Sequence, residues 1–322
     1  FGEYAVLQGG RAAVVGLPSH RFEVAFEFSH SEHPQVKFSS DFLKKTIVLN
    51  GNEVEHLLLE RGDNELRNLA CYVHGFRDAL QGFALHARVR RSFEPELGFG
   101  TSSALLTAFQ WALCQWSSAA RDPERLYAAL QLLQGRGSGY DVAVQTWCVE
   151  HSEPKSAPVL LSFENRVKEK SGDTASSFMP HVEPVAVQSS ELRGLGCFVS
   201  TGVHSETRKV LNEESRHARS AAFYDAQKRW AESFLREPTV AVVREQCRES
   251  SRVALELGLL PHLASLRLFT RKCDEAGVAW KTMGAGHGDC LWVVASRAEV
   301  EVLLAATGAP DLAVRFAFED YP

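Results

Sequence analysis

Apolar and polar positions alternate along two stretches of the first third of the chain. FEVAFEF (22–28) puts Phe22, Val24, Phe26 and Phe28 on one side. FALHARVRR (83–91) does the same with Leu85, Ala87 and Val89. A period of two predicts half-buried strands. Between them, NELRNLACYVHGFRDAL (64–80) spaces Leu66, Leu69, Ala70, Val73 and Phe76 as the buried face of a helix. Ala104, Leu105, Ala108, Phe109, Ala112, Leu113 and Trp116 trace a second helical stripe, ending near Trp116. Asp122-Pro123 reads as a cap followed by a first-turn proline, opening a helix over 123–134.

Residues 158–163 predict a strand, and the polar, turn-rich stretch 165–192 reads as a surface excursion or domain junction. LGCFVSTG (from 195) predicts a strand, with helices near 206–217, 219–235, 239–257 and 262–275. The remainder reads strand, loop, strand, helix, strand. Strands and helices mix without even βαβ repeats, so the expected class is α+β rather than a doubly wound sheet. The expected division is 1–193 and 194–322.

Composition narrows the function classes. The 322 residues are 45% apolar and 23% charged, with net charge −5. That balance argues against a nucleic-acid binder held by a broad basic face. No stretch approaches the roughly 18 consecutive apolar residues of a membrane span. The seven cysteines (Cys71, Cys114, Cys148, Cys197, Cys247, Cys273, Cys290) show no CxxC spacing, so reduced thiols in a cytoplasmic protein are expected. The chain opens on Phe1 rather than Met, and a strand is expected ahead of it.

Four segments carry candidate chemistry. PELGFGTSSA (95–104) sets Gly98 and Gly100 before Thr101, Ser102 and Ser103 at a predicted helix start. Such an end bears unpaired N–H groups and partial positive charge, and the glycines allow close approach of a phosphate. One hydroxyl suffices to cap a helix; three favour phosphate binding. The loop lacks the lysine of a Walker A motif. GEYAVLQGGRAAVV (2–15) offers Glu3 and Tyr4 ahead of a Gly-Gly turn, and a plain hairpin explains it as well. GRGSGYDVA (135–143) presents Arg136 and Ser138 to an anionic substrate and Asp141 as a proton acceptor. On local grounds, Asp141 as a simple helix cap is favoured. KTMGAGHGDC (281–290) has glycine at 284, 286 and 288, leaving one side of a loop bare for a phosphate or another backbone. A glycine-rich hairpin turn accounts for it equally, with Asp289 bonding the loop backbone rather than a metal.

Together, GEYAVL, PELGFGTSSA, GSGYD and KTMGAGHGDC resemble the ordered signature of the GHMP kinases, named for galactokinase, homoserine kinase, mevalonate kinase and phosphomevalonate kinase. The likeness spans nearly the whole chain. Its details lean toward the phosphomevalonate kinase branch: Tyr4 in GEYAVL, QGRGSGYD, and Asp289-Cys290 in GAGHGDC. STGVHSETRKVL (200–211) is similar to the family's strand, hydroxyl and helix near the acceptor, with Thr207 as the hydroxyl. Arg208, Lys209 and His204 there offer positive charge, though Arg208 and Lys209 equally suit a solvated helix face.

The resemblance implies an N-terminal domain like the second domain of ribosomal protein S5 and a ferredoxin-like C-terminal domain. It implies ATP between them. Gly98, Gly100, Thr101, Ser102 and Ser103 would wrap the triphosphate, with Ser102 nearest Mg²⁺. Asp141 would orient or deprotonate the acceptor hydroxyl. Glu3, Tyr4, Arg136, Ser138, Gly139, Thr207, Arg208, Gly284, Ala285 and Gly286 would meet the acceptor or the transferred group. The implied reaction is phosphorylation of 5-phosphomevalonate. Mevalonate kinase, a sugar kinase, a silent ligand sensor and, less favoured, a decarboxylating relative stand as alternatives. The expected partners are ATP and a small anionic acceptor, in a monomer or homodimer, without nucleic acid or membrane. The family's strand lysine would precede Phe1. Leu130 stands where mevalonate kinases carry a metal-binding carboxylate, which counts against that branch.

Overall fold

A computed structural model of the chain describes residues 1, 6, 10–18, 22–33, 35–40, 46–50, 70, 73–74, 77–91, 101–116, 139–151, 157–168, 177–203, 221–256, 258–283 and 289–321. Eleven strands fall into three sheets among these residues. The first sheet has the order β2 (Phe22–His30), β5 (Phe83–Arg91), β3 (Gln35–Ser40), β4 (Ile47–Asn50). All its pairings are antiparallel except β3 with β5. Alternation buries one face: Val36, Phe38, Ile47, Leu49, Leu85, Ala87 and Val89 form a core, with Val24, Phe26 and Phe28 packed against it. The helix α1 (Thr101–Trp116) covers that face through Leu106, Phe109 and Leu113. Phe26 meets Phe109 edge-on at 5.9 Å.

The second sheet, β1 (Arg11–Gly16), β6 (Val159–Lys168), β7 (Ser177–Pro184), is antiparallel. Its two faces bury different neighbours. Ala12 and Phe163 pack with Ala143 of α2 (Tyr140–His151), whereas Ala13 and Leu160 join a large core beyond. α2 is therefore held from both sides, because its Val142 lies in the core of the first sheet. After β7, a five-residue helix α3 (Ser189–Arg193) leads into β8.

The third sheet has the order β11 (Ala313–Ala317), β8 (Cys197–Ser200), β10 (Cys290–Val293), β9 (Trp280–Thr282), all antiparallel. β8, β9 and β10 are buried throughout, since both faces of the sheet are covered. On one side Phe198, Trp292 and Phe316 share a core with Trp230 and Phe234 of α4 (Ala221–Arg236) and Val243 and Cys247 of α5 (Val240–Glu256). On the other, Leu266, Phe269 and Cys273 of α6 (Ala264–Glu275) and Val300 and Leu304 of α7 (Arg297–Ala305) cover Val199, Trp280 and Val293. Gly196 enters β8 at φ +94°, where a Cβ would stand 2.0 Å from the carbonyl oxygen of Val293. Only glycine permits that approach.

Several sequence expectations change. Of residues 165–192, read as a surface excursion or domain junction, 165–168 extend β6 and 177–184 form β7, the two pairing out to Lys168 and Ser177, while 169–176 lie outside the described residues. Polar side chains in a hairpin hid the strands. The tail of the predicted 64–80 helix, Arg77–Leu80, is a 3-10 turn. The buried line of α1 runs through Ser103, Leu106, Thr107, Phe109 and Leu113, rotated from the all-apolar stripe. The predicted helices over 123–134 and 206–217 lie outside the described residues.

Candidate functional site

Helix α1 begins at Thr101, directly after the glycine-bearing segment. Its first-turn N–H groups have no intrahelical partner, and the peptide dipoles leave about half a positive charge there. Ser103, in that first turn, is 1% exposed, and its Oγ has no hydrogen-bond partner among the described residues. An enclosed hydroxyl without a partner costs about 1–3 kcal/mol. It can donate to an anionic oxygen brought to the helix end. This fits the triphosphate of ATP.

Helix α2 presents the second group. Gly139 is buried and holds φ +73°, and its carbonyl accepts from the amide of Ala143 at 3.1 Å. The left-handed glycine turns the chain abruptly into the helix. Asp141 therefore lies inside the first turn, half-buried, and is not the cap that local reading favours. A carboxylate there is favoured by the helix dipole. Packing on both sides fixes its position: Val142 points to one core, Ala143 to another, and the Tyr140 ring meets Phe163 edge-on at 6.3 Å.

The two helices contact each other through polar side chains. Thr107 Oγ1 donates to Gln145 Oε1 at 3.4 Å. Ser103 precedes Thr107 by one turn and Asp141 precedes Gln145 by one turn, so each pair shares a helix face. The stripe bearing Ser103 thus adjoins the stripe bearing Asp141.

A third feature lies where β9 and β10 meet the end of β8. The amide of Met283 donates to the carbonyl of Cys290 at 3.1 Å, the last described bond between the β9 and β10 ends. Asp289 sits at φ +51°, unusual for a residue with a side chain. Its carbonyl is held twice, accepting from the amide of Thr201 at 2.8 Å and from Thr201 Oγ1 at 3.0 Å. Its amide donates to the Val203 carbonyl at 2.5 Å. Thr201 Oγ1 also reaches the Val203 carbonyl, at 3.2 Å. One fully buried threonine thus ties Asp289 to Val203.

Of the predicted site residues, Ser103, Gly139 and Asp141 are described, and the Thr107–Gln145 contact brings their helices together. Thr101 and Ser102 stand in the first turn of α1, but their side chains lie outside the described residues, as do Glu3, Tyr4, Gly98, Gly100, Arg136, Ser138, Thr207, Arg208, Gly284, Ala285 and Gly286. Among the described residues no group of three His, Cys, Asp or Glu side chains could hold a metal ion. No helix among them is long and apolar enough to cross a membrane. Burial pushes the Cys197, Cys273 and Cys290 thiols up to about 12, which makes them poor nucleophiles.

Sequence reasoning missed Thr107, Gln145, Thr201 and Lys281. Lys281 is 3% exposed inside β9. A lysine within the apolar run VAWKTM was the available signal.

No family model matches the chain, and no curated protein matches it. Solved structures do. A mevalonate kinase from Methanococcus jannaschii superposes with TM-score 0.64 at 16% identity, covering 98% of this chain and 93% of that one. A Lactococcus lactis galactokinase complexed with galactose gives 0.63 at 15% identity, covering 98% and 90%. A Streptococcus pneumoniae phosphomevalonate kinase in complex with phosphomevalonate and AMPPNP gives 0.61 at 16%, covering 98% and 94%. At such identities the likeness speaks of architecture alone: the chain shares the α+β fold of these solved structures.

Proposed function

We propose that the protein is an ATP-dependent small-molecule kinase whose acceptor is 5-phosphomevalonate. The observation that carries the reading is the enclosed, unpartnered Ser103 hydroxyl at the start of α1, on a face that adjoins the Asp141 face of α2. The fold and the motif order support it. The same reading assigns ATP to residues 1–193 and the ferredoxin-like unit to 194–322, in a cytoplasmic enzyme.

Phosphoryl transfer asks for positioning and charge neutralisation rather than covalent help. The α1 N-terminus and the hydroxyls of Thr101, Ser102 and Ser103 hold the triphosphate oxygens. Ser102 would hold Mg²⁺, which would supply screening of the phosphate charge. Asp141 orients the acceptor hydroxyl and takes its proton. The new O–P bond forms as the bond to ADP breaks. Arg136, Ser138, Thr207 and Arg208 meet the acceptor's anionic groups, and Gly284–Gly286 approach the transferred group by backbone. An acidic protein supports this when positive potential is confined to the cleft.

The test is ADP release by purified protein with ATP and Mg²⁺, against mevalonate, 5-phosphomevalonate, galactose and other sugars. Release that depends on 5-phosphomevalonate is the expected result. Release with mevalonate or a sugar alone reassigns the acceptor. Nucleotide binding without release under any acceptor identifies a ligand sensor instead.

A further inference from the structure

The face of the first sheet turned away from α1 carries a polar cluster that the kinase chemistry does not use. Leu85 and Ala87 of β5 and Phe38 of β3 lie in the core, and Phe26 and Phe28 of β2 pack against it. The period of two therefore sends His86, Ser39 and Glu27 to the opposite face. Glu27 stands directly across the ladder from His86. Ser39 stands one same-face position along β3, level with Arg88. His86 Nε2 lies 3.2 Å from Ser39 Oγ, and His86 Nδ1 lies 3.7 Å from Glu27 Oε2. Hydroxyl, imidazole and carboxylate thus stand in line on three neighbouring strands, with the imidazole central. Arg88 brings a guanidinium nitrogen to 3.2 Å from the other Glu27 oxygen, and Lys37 lies across from His86 on β3. The cluster is open to solvent: the Glu27 side chain is 65% exposed and that of His86 20%.

A solvated sheet face calls for polar side chains, but not for this order. A serine hydroxyl is a weak nucleophile until a base takes its proton. Nε2 accepts that proton only when the neutral imidazole carries its own on Nδ1. A carboxylate on the Nδ1 side favours that tautomer and stabilises the imidazolium as it forms. We propose that Ser39 is a second reactive site, a nucleophile that takes acyl groups from small activated esters, with His86 as its base and Glu27 as the residue that orients His86. In the step, Ser39 Oγ bonds to the carbonyl carbon, and the bond from that carbon to the leaving oxygen breaks. The Ser39 proton passes to His86 Nε2 and then to the leaving oxygen. Arg88 supplies positive charge to the carbonyl oxygen while it is anionic. Water enters by the same route, restoring the serine and releasing a carboxylic acid. An open face gives little binding energy, so the substrates are those activated by their own leaving group.

The test treats the full chain with p-nitrophenyl acetate at pH 8 and maps the acetyl group by peptide mass. It needs neither ATP nor a phosphoryl acceptor, so its outcome is independent of the kinase assignment. Ser39 should be acetylated at least about tenfold faster than Ser29, an exposed serine on the same face of β2. His86→Gln should slow Ser39 at least about tenfold, and Glu27→Gln at least about threefold. Ser39→Ala should lose the label and keep any ADP release of the parent chain, since α1 covers the opposite face. Nitrogen-15 spectra should place the His86 proton on Nδ1 in the parent chain and shift it toward Nε2 in Glu27→Gln, which a merely structural carboxylate would not cause. Acetylation of Ser39 no faster than Ser29, or unaffected by His86→Gln, overturns the proposal. So does a parent-chain His86 proton on Nε2, and an unchanged tautomer in Glu27→Gln overturns the role of Glu27. Should His86→Gln fail to fold, the Ser39-to-Ser29 rate ratio and the exposed Glu27→Gln variant decide.

Discussion

Thr107 of α1 donates to Gln145 of α2 across 3.4 Å, one helical turn beyond Ser103 and one turn beyond Asp141 respectively. The bond sets how the helix proposed to hold the triphosphate lies against the helix proposed to hold the proton acceptor. Thr107→Val keeps the shape and removes the donor. The expected result is a loss of about 1 kcal/mol in urea unfolding, with turnover falling about tenfold while ATP affinity holds, because small displacements of a reacting group are costly.

Gly139 holds φ +73° immediately before α2. Gly139→Ala imposes left-handed strain of about 1–2 kcal/mol. The helix start relaxes by moving Tyr140 and Asp141. Steady-state kinetics should show a fall in kcat larger than the change in the ATP KM. Equal, small effects on both would mean that the glycine serves stability alone.

Thr201 joins Asp289 and Val203 through its hydroxyl. Thr201→Val leaves the backbone pairing between residues 201 and 289 and removes the side-chain donor. Acceptor KM should rise several-fold, with nucleotide binding, followed by a fluorescent ATP analogue, unchanged.

The buried thiols make alkaline pH informative. Cys197, Cys273 and Cys290 are pushed from 9.0 to about 12 by burial first, with nearby carboxylates adding to it. The folded chain keeps these protons where the unfolded chain releases them. Stability from this source is complete below pH 9 and falls as pH rises from 9 toward 12. Urea midpoints at pH 8, 9.5 and 10.5 should decline, and Cys273→Ala should shallow the decline. In the native state at pH 8 a thiol reagent should leave these three unreacted and, among the described cysteines, modify the half-buried Cys114 and Cys148 first.

Much of this architecture is legible in the sequence where one physical signal dominates. Alternating Leu85, Ala87 and Val89 mark β5 to its ends, and the glycines and hydroxyls before Ala104 mark the start of α1. β3 and β4 are too short, at six and four residues, for their Val36/Phe38 and Ile47/Leu49 alternation to stand out from their surroundings. The β6–β7 hairpin is hidden by its polar residues. The face of α1 is misplaced because Ser103 and Thr107, polar in type, are buried for the contacts they make or await. Lys281 went unread for the converse reason: a charged residue inside a fully buried strand breaks the apolar run that marks one. Order along the chain placed the candidate motifs, whereas the Thr107–Gln145 and Thr201–Asp289 contacts depend on chain closure over 38 and 88 residues.

The most direct measurement is acceptor-dependent ADP release by Asp141→Asn, made beside ATP-binding affinity of the same variant. The substitution keeps size and helix position and removes the proton acceptor. Turnover should fall at least about a hundredfold while ATP binds as in the parent chain. Undiminished turnover, or loss of ATP binding in step with turnover, would contradict the arrangement of a triphosphate at α1 opposite the carboxylate of α2.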